Sequence, residues 1–122
     1  MKIYYSKEYS SMANPTPGQT YRQEILSAKE KAKDLGGIIG VMAPGSPPRY
    51  HYHNTRESII IAISGEAIEV CEGKEFPFKA GDVIFVPAKE KHMTLNRSKQ
   101  DFRYLEFFTH PPAGSDFVEV KE

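Results

Sequence analysis

Little in this 122-residue chain ties it to an oxidising compartment or to a membrane. It has a single cysteine, Cys71, which cannot close a disulfide within the chain, so we expect a reducing compartment. The longest apolar run, residues 59–63, is far shorter than the roughly 20 residues that cross a bilayer. The first residues, MKIYYSKEYSSMANPTPG, lack the apolar core of a signal peptide. These absences predict a cytoplasmic protein without a membrane partner.

The chain also lacks an excess of either charge. Lys plus Arg number 16, Asp plus Glu number 16, and the formal net charge is zero. Without a basic stripe, the electrostatic attraction on which nucleic-acid binding depends is missing. Apolar residues make up 39% and charged residues 26%, which is normal for a globular protein and too apolar for disorder. The length is that of one domain, large enough to bury a core without disulfides. We therefore expect a single domain with a small-molecule partner and no nucleic-acid partner.

Short apolar segments separated by turns dominate the chain from residue 38 onward. They are rich in β-branched and aromatic side chains and recur at a pitch of about ten residues, as strands do in small β proteins. Clusters of Gly, Pro, Asn and Asp lie between them. The segments are GIIGVM, ESIIIAI, EAIEV, DVIFV, KHMTLN and FRYLEFF. No long helical pattern alternates with them, so the sequence predicts an all-β sandwich or small barrel.

The N-terminal residues have a different character. Residues 6–20 are polar and contain two prolines, which predicts an irregular arm, led by a short strand at Lys2–Tyr5. We therefore divide the chain into an arm or edge strand at 1–20 and a barrel at 21–122. The arm carries Tyr4, Tyr5, Tyr9 and Met12 without core-like periodicity. Exposed aromatic side chains on an edge segment favour a partner surface, and we expect a homodimer.

One short helix is predicted between the arm and the strands. Ser27 and Glu30 have the spacing of a capping box, in which each side chain accepts a hydrogen bond from a free backbone amide. A helix of about two turns would follow and end at Gly36-Gly37. The apolar positions in this stretch are few, so a β-rich interpretation stays open.

The histidines are the chain's most informative residues. The chain has four, and two of them lie in the stretch HYHNTRES at residues 51–58. Side chains alternate faces along a strand, so His51, His53 and Glu57 would share one face if this stretch is extended, and the odd-numbered isoleucines after them would continue that face. His92 begins a later strand-like segment. The alternative is that the first two histidines are polar loop residues after a pair of prolines.

If these side chains converge, they form a site for a transition metal. Three imidazoles and a carboxylate suit a divalent ion of manganese, iron, cobalt, nickel, copper or zinc, and the ligand set does not choose among them. Four protein ligands around an octahedral ion leave two positions open for water, dioxygen or a chelating substrate.

The stretch from residue 45 to 65 resembles the first sequence motif of the cupins, G-x5-H-x-H-x3-4-E-x6-G. Its closing glycine, Gly65, comes one residue late. The four positions at the motif spacing are Gly45, His51, His53 and Glu57.

Residues 81–96 resemble the second cupin motif, G-x5-P-x-G-x2-H-x3-N. Lys89 stands where the family usually has glycine. The matching positions are Gly81, Pro87, His92 and Asn96.

The resemblance implies a fold and a ligand set. The fold would be a single-domain jelly-roll barrel of six to eight strands, and the metal ligands would be His51, His53, Glu57 and His92. The family glycine before the last histidine usually permits a positive φ, so Lys89 must adopt that conformation or the turn must rearrange.

Three further residues are candidates for substrate binding or catalysis. Arg49 shares the histidines' parity and would reach an anionic substrate at the mouth of the barrel, although a solvated loop arginine is an equally good interpretation. Tyr104 and Glu106 share one face of a late strand. If that face is inward, either is a candidate acid or base beside the metal; if it is outward, the core is filled by Leu105 and Phe107.

Two classes of function follow. The first is a small metalloenzyme that acts on an oxygenated small molecule, as a dioxygenase, decarboxylase, isomerase or lyase. The second is a non-catalytic cupin that binds or senses a small molecule. The fold does not choose between them. Cys71 beside a hairpin turn is interpreted as a small core residue, and His110 as a surface residue.

Overall fold

Two antiparallel sheets form the protein in this computed structural model, which describes residues 1–12 and 15–121. Each sheet has five strands, and the strand orders are β1-β2-β9-β4-β7 and β10-β3-β8-β5-β6. The strands are β1 (Thr20–Leu26), β2 (Leu35–Met42), β3 (His51–Tyr52), β4 (Ser58–Ser64), β5 (Glu66–Cys71), β6 (Lys74–Lys79), β7 (Val83–Val86), β8 (His92–Leu95), β9 (Phe102–Thr109) and β10 (Val118–Glu119). Most sheet neighbours are distant in sequence, as a jelly-roll barrel requires. The all-β prediction is confirmed.

The six strand-like segments from residue 38 onward are all strands, namely β2, β4, β5, β7, β8 and β9. β6 was not predicted, and its sequence KEFPFK contains Pro77. A proline has no amide hydrogen for a ladder bond, so it is tolerated on an edge strand, and β6 is the edge of its sheet.

The apolar core lies between the two sheets. Phe78 of β6 and Phe102 of β9 are almost completely buried, and their ring centroids are 5.5 Å apart. Even-numbered residues of β4 and β9, among them Ile60, Ala62 and Phe108, complete this core. The inward face of the β9 sheet is therefore the even-numbered one, which decides which side chains of β9 reach the barrel interior.

The predicted two-turn helix is wrong, although its capping box is confirmed. The Ser27 amide donates to Glu30 Oε1 at 2.8 Å, but only a 3₁₀ turn at Ala28–Glu30 follows. The two glycines that were expected to end a helix lie inside β2. A Cβ on Gly36 would lie 2.6 Å from the Phe108 ring, so the missing side chain makes room for an aromatic ring of β9.

The N-terminal arm also differs from its prediction. No strand forms at Lys2–Tyr5, and a single helical turn, α1, covers Ser6–Tyr9 instead. The Tyr4 hydroxyl donates to the Ile25 carbonyl, and its ring centroid lies 6.3 Å from that of Phe107 on the outer face of β9. Part of the arm's aromatic surface is therefore used within its own chain. Residues 13 and 14 of the arm lie outside the described residues.

In the described part of the chain, no helix has the length and apolar character that a membrane span would need.

Candidate functional site

Three histidines converge inside the barrel. His51 on β3 is paired with His92 on β8, and His53 follows β3 directly. The ring centroid of His51 lies 4.5 Å from that of His92 and 4.9 Å from that of His53. One ring nitrogen from each of the three lies within 4.8 Å of the other two. The barrel thus brings together three imidazoles from two neighbouring strands.

Each of these rings has its Nδ1 next to an oxygen acceptor. His51 Nδ1 lies 2.6 Å from the Arg49 carbonyl, and His53 Nδ1 contacts the Asp116 carbonyl. His92 Nδ1 lies 3.4 Å from Glu69 Oε1. An Nδ1–H that donates to such an acceptor leaves the Nε2 lone pair free, which is the usual arrangement of metal-binding histidines. The donor set therefore fits a divalent transition metal ion.

Burial favours the neutral form of two of these imidazoles, His51 and His53. Burial first, and then the neighbouring His92, lower the pKa of His51 from its ordinary value to about 3. Burial also lowers the pKa of His53. Because only a neutral imidazole binds a metal, both rings are ready for one at neutral pH.

Glu69 is a buried carboxylate that the sequence analysis missed. Only 4% exposed, it accepts a hydrogen bond from the Thr94 hydroxyl at 3.1 Å in addition to its contact with His92. Burial raises the pKa of Glu69, and the hydrogen bond from His92 opposes that rise. The available signal was its position in EAIEV, where it shares a face with the buried Ala67.

Glu57 does not join the three imidazoles. The chain bends at residues 54–55, so the strand alternation that starts at His51 does not continue into β4. The prediction that odd-numbered isoleucines extend the histidine face is wrong for this reason: Ile59 is 45% exposed, whereas Ile60 is buried. The Glu57 residue is likewise exposed, and its amide donates to the Thr109 hydroxyl at 2.9 Å.

The bend turns Arg56 inward instead. Its Nη2 donates to Glu106 Oε2 at 2.7 Å, and its Nε donates to the Ser58 hydroxyl at 3.2 Å. The guanidinium carbon lies 4.0 Å from the centre of the Phe108 ring. The side chains of Arg56 and Glu106 are 5% and 12% exposed. Both residues line the same cavity as the histidines.

Tyr104 reaches this cavity because of a glycine. It lies opposite Gly40 in the β2–β9 ladder, and a Cβ there would lie 2.1 Å from Tyr104 Cζ. The ring thus lies across β2, and its hydroxyl accepts a hydrogen bond from Arg22 of β1. Burial raises the pKa of Tyr104, while Arg22 lowers it. Of the two orientations considered for this strand, the inward one for Tyr104 and Glu106 is present.

The cavity is cationic. Its volume is about 260 Å³, and besides the three imidazoles it is lined by Arg22, Arg49, Arg56, Tyr104 and Glu106, with an apolar wall. Three guanidinium groups face one carboxylate there, which leaves an excess of positive charge. Neither Arg22 nor Arg49 forms an ion pair with a carboxylate within residues 1–12 and 15–121. Arg49 lies at the cavity wall, 4.1 Å from the centre of the Phe117 ring.

The turn before His92 keeps the conformation of a glycine. Lys89 has φ of 71°, in the left-handed region, and its amide donates to the His53 carbonyl at 2.6 Å. The lysine therefore adopts the positive φ that its position implied, and the turn does not rearrange. Of the remaining candidates, Cys71 donates to Glu90 at 2.6 Å, and His110 is exposed.

Comparison with known proteins identifies the family. The profile of the cupin domain (Cupin_2) matches residues 38–108. A glucose-6-phosphate isomerase of Thermococcus onnurineus is 28% identical over 137 aligned positions, which cover 100% of this chain and 71% of that protein. An oxalate-binding protein of Thermotoga maritima is 34% identical over 90 positions, covering 72% of this chain and 74% of that protein.

A solved structure agrees with the fold. The crystal structure of an uncharacterised conserved protein with a double-stranded β-helix domain, from Klebsiella pneumoniae, has a TM-score of 0.78 to this chain at 22% identity. The superposition covers 100% of this chain and 99% of that one.

Proposed function

Because this chain belongs to the cupin family, we propose that it is a metal-dependent enzyme that acts on a small, oxygen-rich anion. The observation that carries the proposal is the set of three converging imidazoles in the wall of a cationic cavity. The site would therefore have two parts: a metal pole, where the imidazoles would bind an ion, and an anion pole, where the arginines would bind negative charge.

We assign the metal pole to His51, His53 and His92. Their Nδ1 atoms are engaged by acceptors, so the three Nε2 atoms would hold the ion. When bound, a divalent ion would supply a Lewis acid that polarises a substrate oxygen. Glu57 as a fourth ligand stays a prediction, because its carboxylate would reach the site only if the loop at residues 54–57 rearranged.

Arg22 and Arg49 would bind the anionic part of the substrate. They line the cavity, and no carboxylate of residues 1–12 or 15–121 forms an ion pair with either of them. A planar guanidinium suits a carboxylate or phosphate group. Two relatives support this class of substrate. One is a glucose-6-phosphate isomerase, whose substrate is a phosphorylated sugar, and the other is an oxalate-binding protein, whose ligand is a dicarboxylate.

Glu106 would act as the base. Arg56 holds its Oε2, which leaves Oε1 for a substrate proton, and the side chain lines the same cavity as the imidazoles. A carboxylate fixed in this way is suited to remove a proton from a carbon next to a carbonyl group and to return it to a neighbouring carbon. The Tyr104 hydroxyl would donate a hydrogen bond to the oxygen on which negative charge develops. This assignment favours isomerase or lyase chemistry over oxygenation.

The second candidate is binding without turnover. The 34% identity to an oxalate-binding protein favours it, and the arginines and imidazoles would serve a bound dicarboxylate equally well. The two candidates differ in what they require of Glu106, because only the enzyme needs a proton acceptor.

Exchange of substrate hydrogen for deuterium separates them. The metal-loaded protein would be incubated in D₂O with a panel of small phosphorylated and carboxylated aldoses, ketoses and hydroxy acids, and exchange read by NMR. The enzyme proposal predicts exchange at one carbon of a panel member, lost in Glu106→Gln and kept in Glu75→Gln, which changes an exposed carboxylate paired with Arg97. Binding of a panel member without exchange in the wild type favours the binding protein.

A further inference from the structure

Two of the three histidines, His51 and His53, contact a segment that lies more than 60 residues away in sequence. This segment, residues 113–117, is called the C-terminal strap below. It lies between β9 and β10, and β10 fixes its far end by pairing Val118 with Tyr52 and Glu119 with His51. We infer that the strap is the positioning element of the site, and that Asp116 sets the metal affinity by fixing His53 and the loop that follows it. The inference rests on the proposed metal site.

The carboxylate of Asp116 organises the loop after His53. It accepts hydrogen bonds from three successive backbone amides: Asn54 at 2.9 Å, Thr55 at 2.7 Å and Arg56 at 3.0 Å. The Thr55 hydroxyl adds a fourth at 3.0 Å. Consecutive amides that converge on one anion form a nest, and here the anion comes from a distant part of the same chain. The bend that turns Arg56 into the cavity is therefore held by Asp116.

The backbone of the same residue orients a metal-binding ring. The Asp116 carbonyl receives the Nδ1–H of His53. The carbonyl of Asp116 thus fixes the His53 ring, and its carboxylate fixes the loop at residues 54–56. A shift of Asp116 would therefore move both the ring and the loop. A partner of this kind fixes the tautomer and the direction of the nitrogen that faces the metal.

The next strap residue supports the second histidine. The ring of Phe117 stacks on His51, with centroids 4.6 Å apart and an angle of 24° between the planes. Its centroid lies 6.0 Å from that of His53, so one side chain contacts both imidazoles. At its near end the strap is tied to Arg56, whose Nη1 donates to the Ala113 carbonyl at 2.7 Å. Because Arg56 also holds Glu106, the strap contacts the proposed base through one side chain.

Asp116 is separable from the fold. It is not part of the buried apolar cluster, and its hydrogen bonds go to the loop and to His53. Asp116→Asn keeps the shape of the side chain but removes its charge and turns one acceptor oxygen into a donor, which cannot bind an amide hydrogen. The chain should still fold, with the loop and His53 loosened.

Cobalt titration tests the inference. Chelator-treated wild type, Asp116→Asn and the control Glu75→Gln, which changes an exposed carboxylate paired with Arg97, would be titrated with Co²⁺ against a competing chelator. The visible d–d spectrum of each cobalt-loaded protein would be recorded, with melting in EDTA as the test of folding. We expect the control to match the wild type. Asp116→Asn should bind Co²⁺ roughly 10- to 100-fold more weakly, the usual effect of losing an outer partner of a ligand, with an altered d–d spectrum.

The outcomes separate the two proposals. Wild-type protein that binds no Co²⁺ overturns the metal site, and the inference falls with it. Wild-type binding with equal affinity and spectrum in Asp116→Asn overturns the inference alone. If Asp116→Asn does not fold, the Phe117→Leu variant tests the inference instead. A several-fold loss of Co²⁺ affinity with a changed spectrum would support the positioning role of the strap, and unchanged binding would overturn it.

Discussion

Glu69 lies behind His92 in the barrel wall, with its Oε1 3.4 Å from the ring Nδ1 and both residues nearly fully buried. The carboxylate comes from β5 and the imidazole from β8, so the contact joins two neighbouring strands. A carboxylate in this position fixes the tautomer of a metal-binding histidine and makes its other nitrogen a stronger donor.

Glu69→Gln should therefore weaken metal binding without removing a ligand. We expect the affinity for Co²⁺ to fall roughly 10- to 100-fold, because an amide oxygen is a poorer acceptor for Nδ1–H than a carboxylate. Competition against a chelator gives the value. His110→Ala, which changes an exposed histidine, is the control and should leave the affinity unchanged. Equal affinities for wild type and Glu69→Gln would remove Glu69 from the site.

Metal-free protein should lose stability in acid through His51. Its pKa is about 3 in the folded chain and about 6.5 in an unfolded one, so below 6.5 the unfolded chain binds the extra proton. The stability present above pH 6.5 is therefore lost progressively as pH falls towards 3. Melting curves in EDTA between those values should show this decline, and His51→Gln should make it shallower. Identical pH dependence in the two proteins would contradict the depressed pKa.

Gly40 should resist replacement because Tyr104 occupies its side-chain space. In Gly40→Ala the new Cβ would lie 2.1 Å from Tyr104 Cζ, so the ring must move out of the cavity. We expect the free energy of unfolding to fall by about 1–3 kcal/mol, the usual cost of overpacking. Urea denaturation measures the loss. Gly114→Ala is the matched control, since a Cβ there meets nothing within 4 Å, and an equal loss in both variants would refute the explanation.

The homodimer remains a prediction, and the structure suggests where to test it. Ile59, Val83 and Phe85 are 45%, 61% and 57% exposed on the neighbouring strands β4 and β7. Light scattering should give twice the chain mass of 13.8 kDa, and Phe85→Lys should return the protein to that mass. A wild-type mass of 13.8 kDa at all concentrations would exclude the dimer.

The strand pattern made the fold and the three histidines predictable. Alternation in HYH placed His51 and His53 on one face, and the resemblance of residues 81–96 to the second cupin motif implied that His92 joins them. The same alternation failed four residues later, because the bend at residues 54–55 exchanges the inward positions and brings Arg56 into the cavity in place of Glu57.

The contacts that support the site were not predictable from local sequence. The partners of Asp116 lie 60 to 63 positions away, and no periodicity links such distant residues. The glycines of β2 were interpreted as a helix end because a local pattern cannot show an aromatic ring on a strand that is adjacent only in space. Long-range hydrogen bonds and ring packing therefore account for most of what the sequence analysis missed.

The most direct test of the account is the metal stoichiometry and ligand set of the purified chain. Chelator-treated protein would be loaded with Co²⁺ at about pH 7.5, above the ordinary histidine pKa of about 6.5, and examined by X-ray absorption. We expect one ion per chain with three imidazole ligands, and loss of that ion in His92→Ala but not in His110→Ala. Absence of stoichiometric binding, or a bound ion without imidazole ligands, would contradict it.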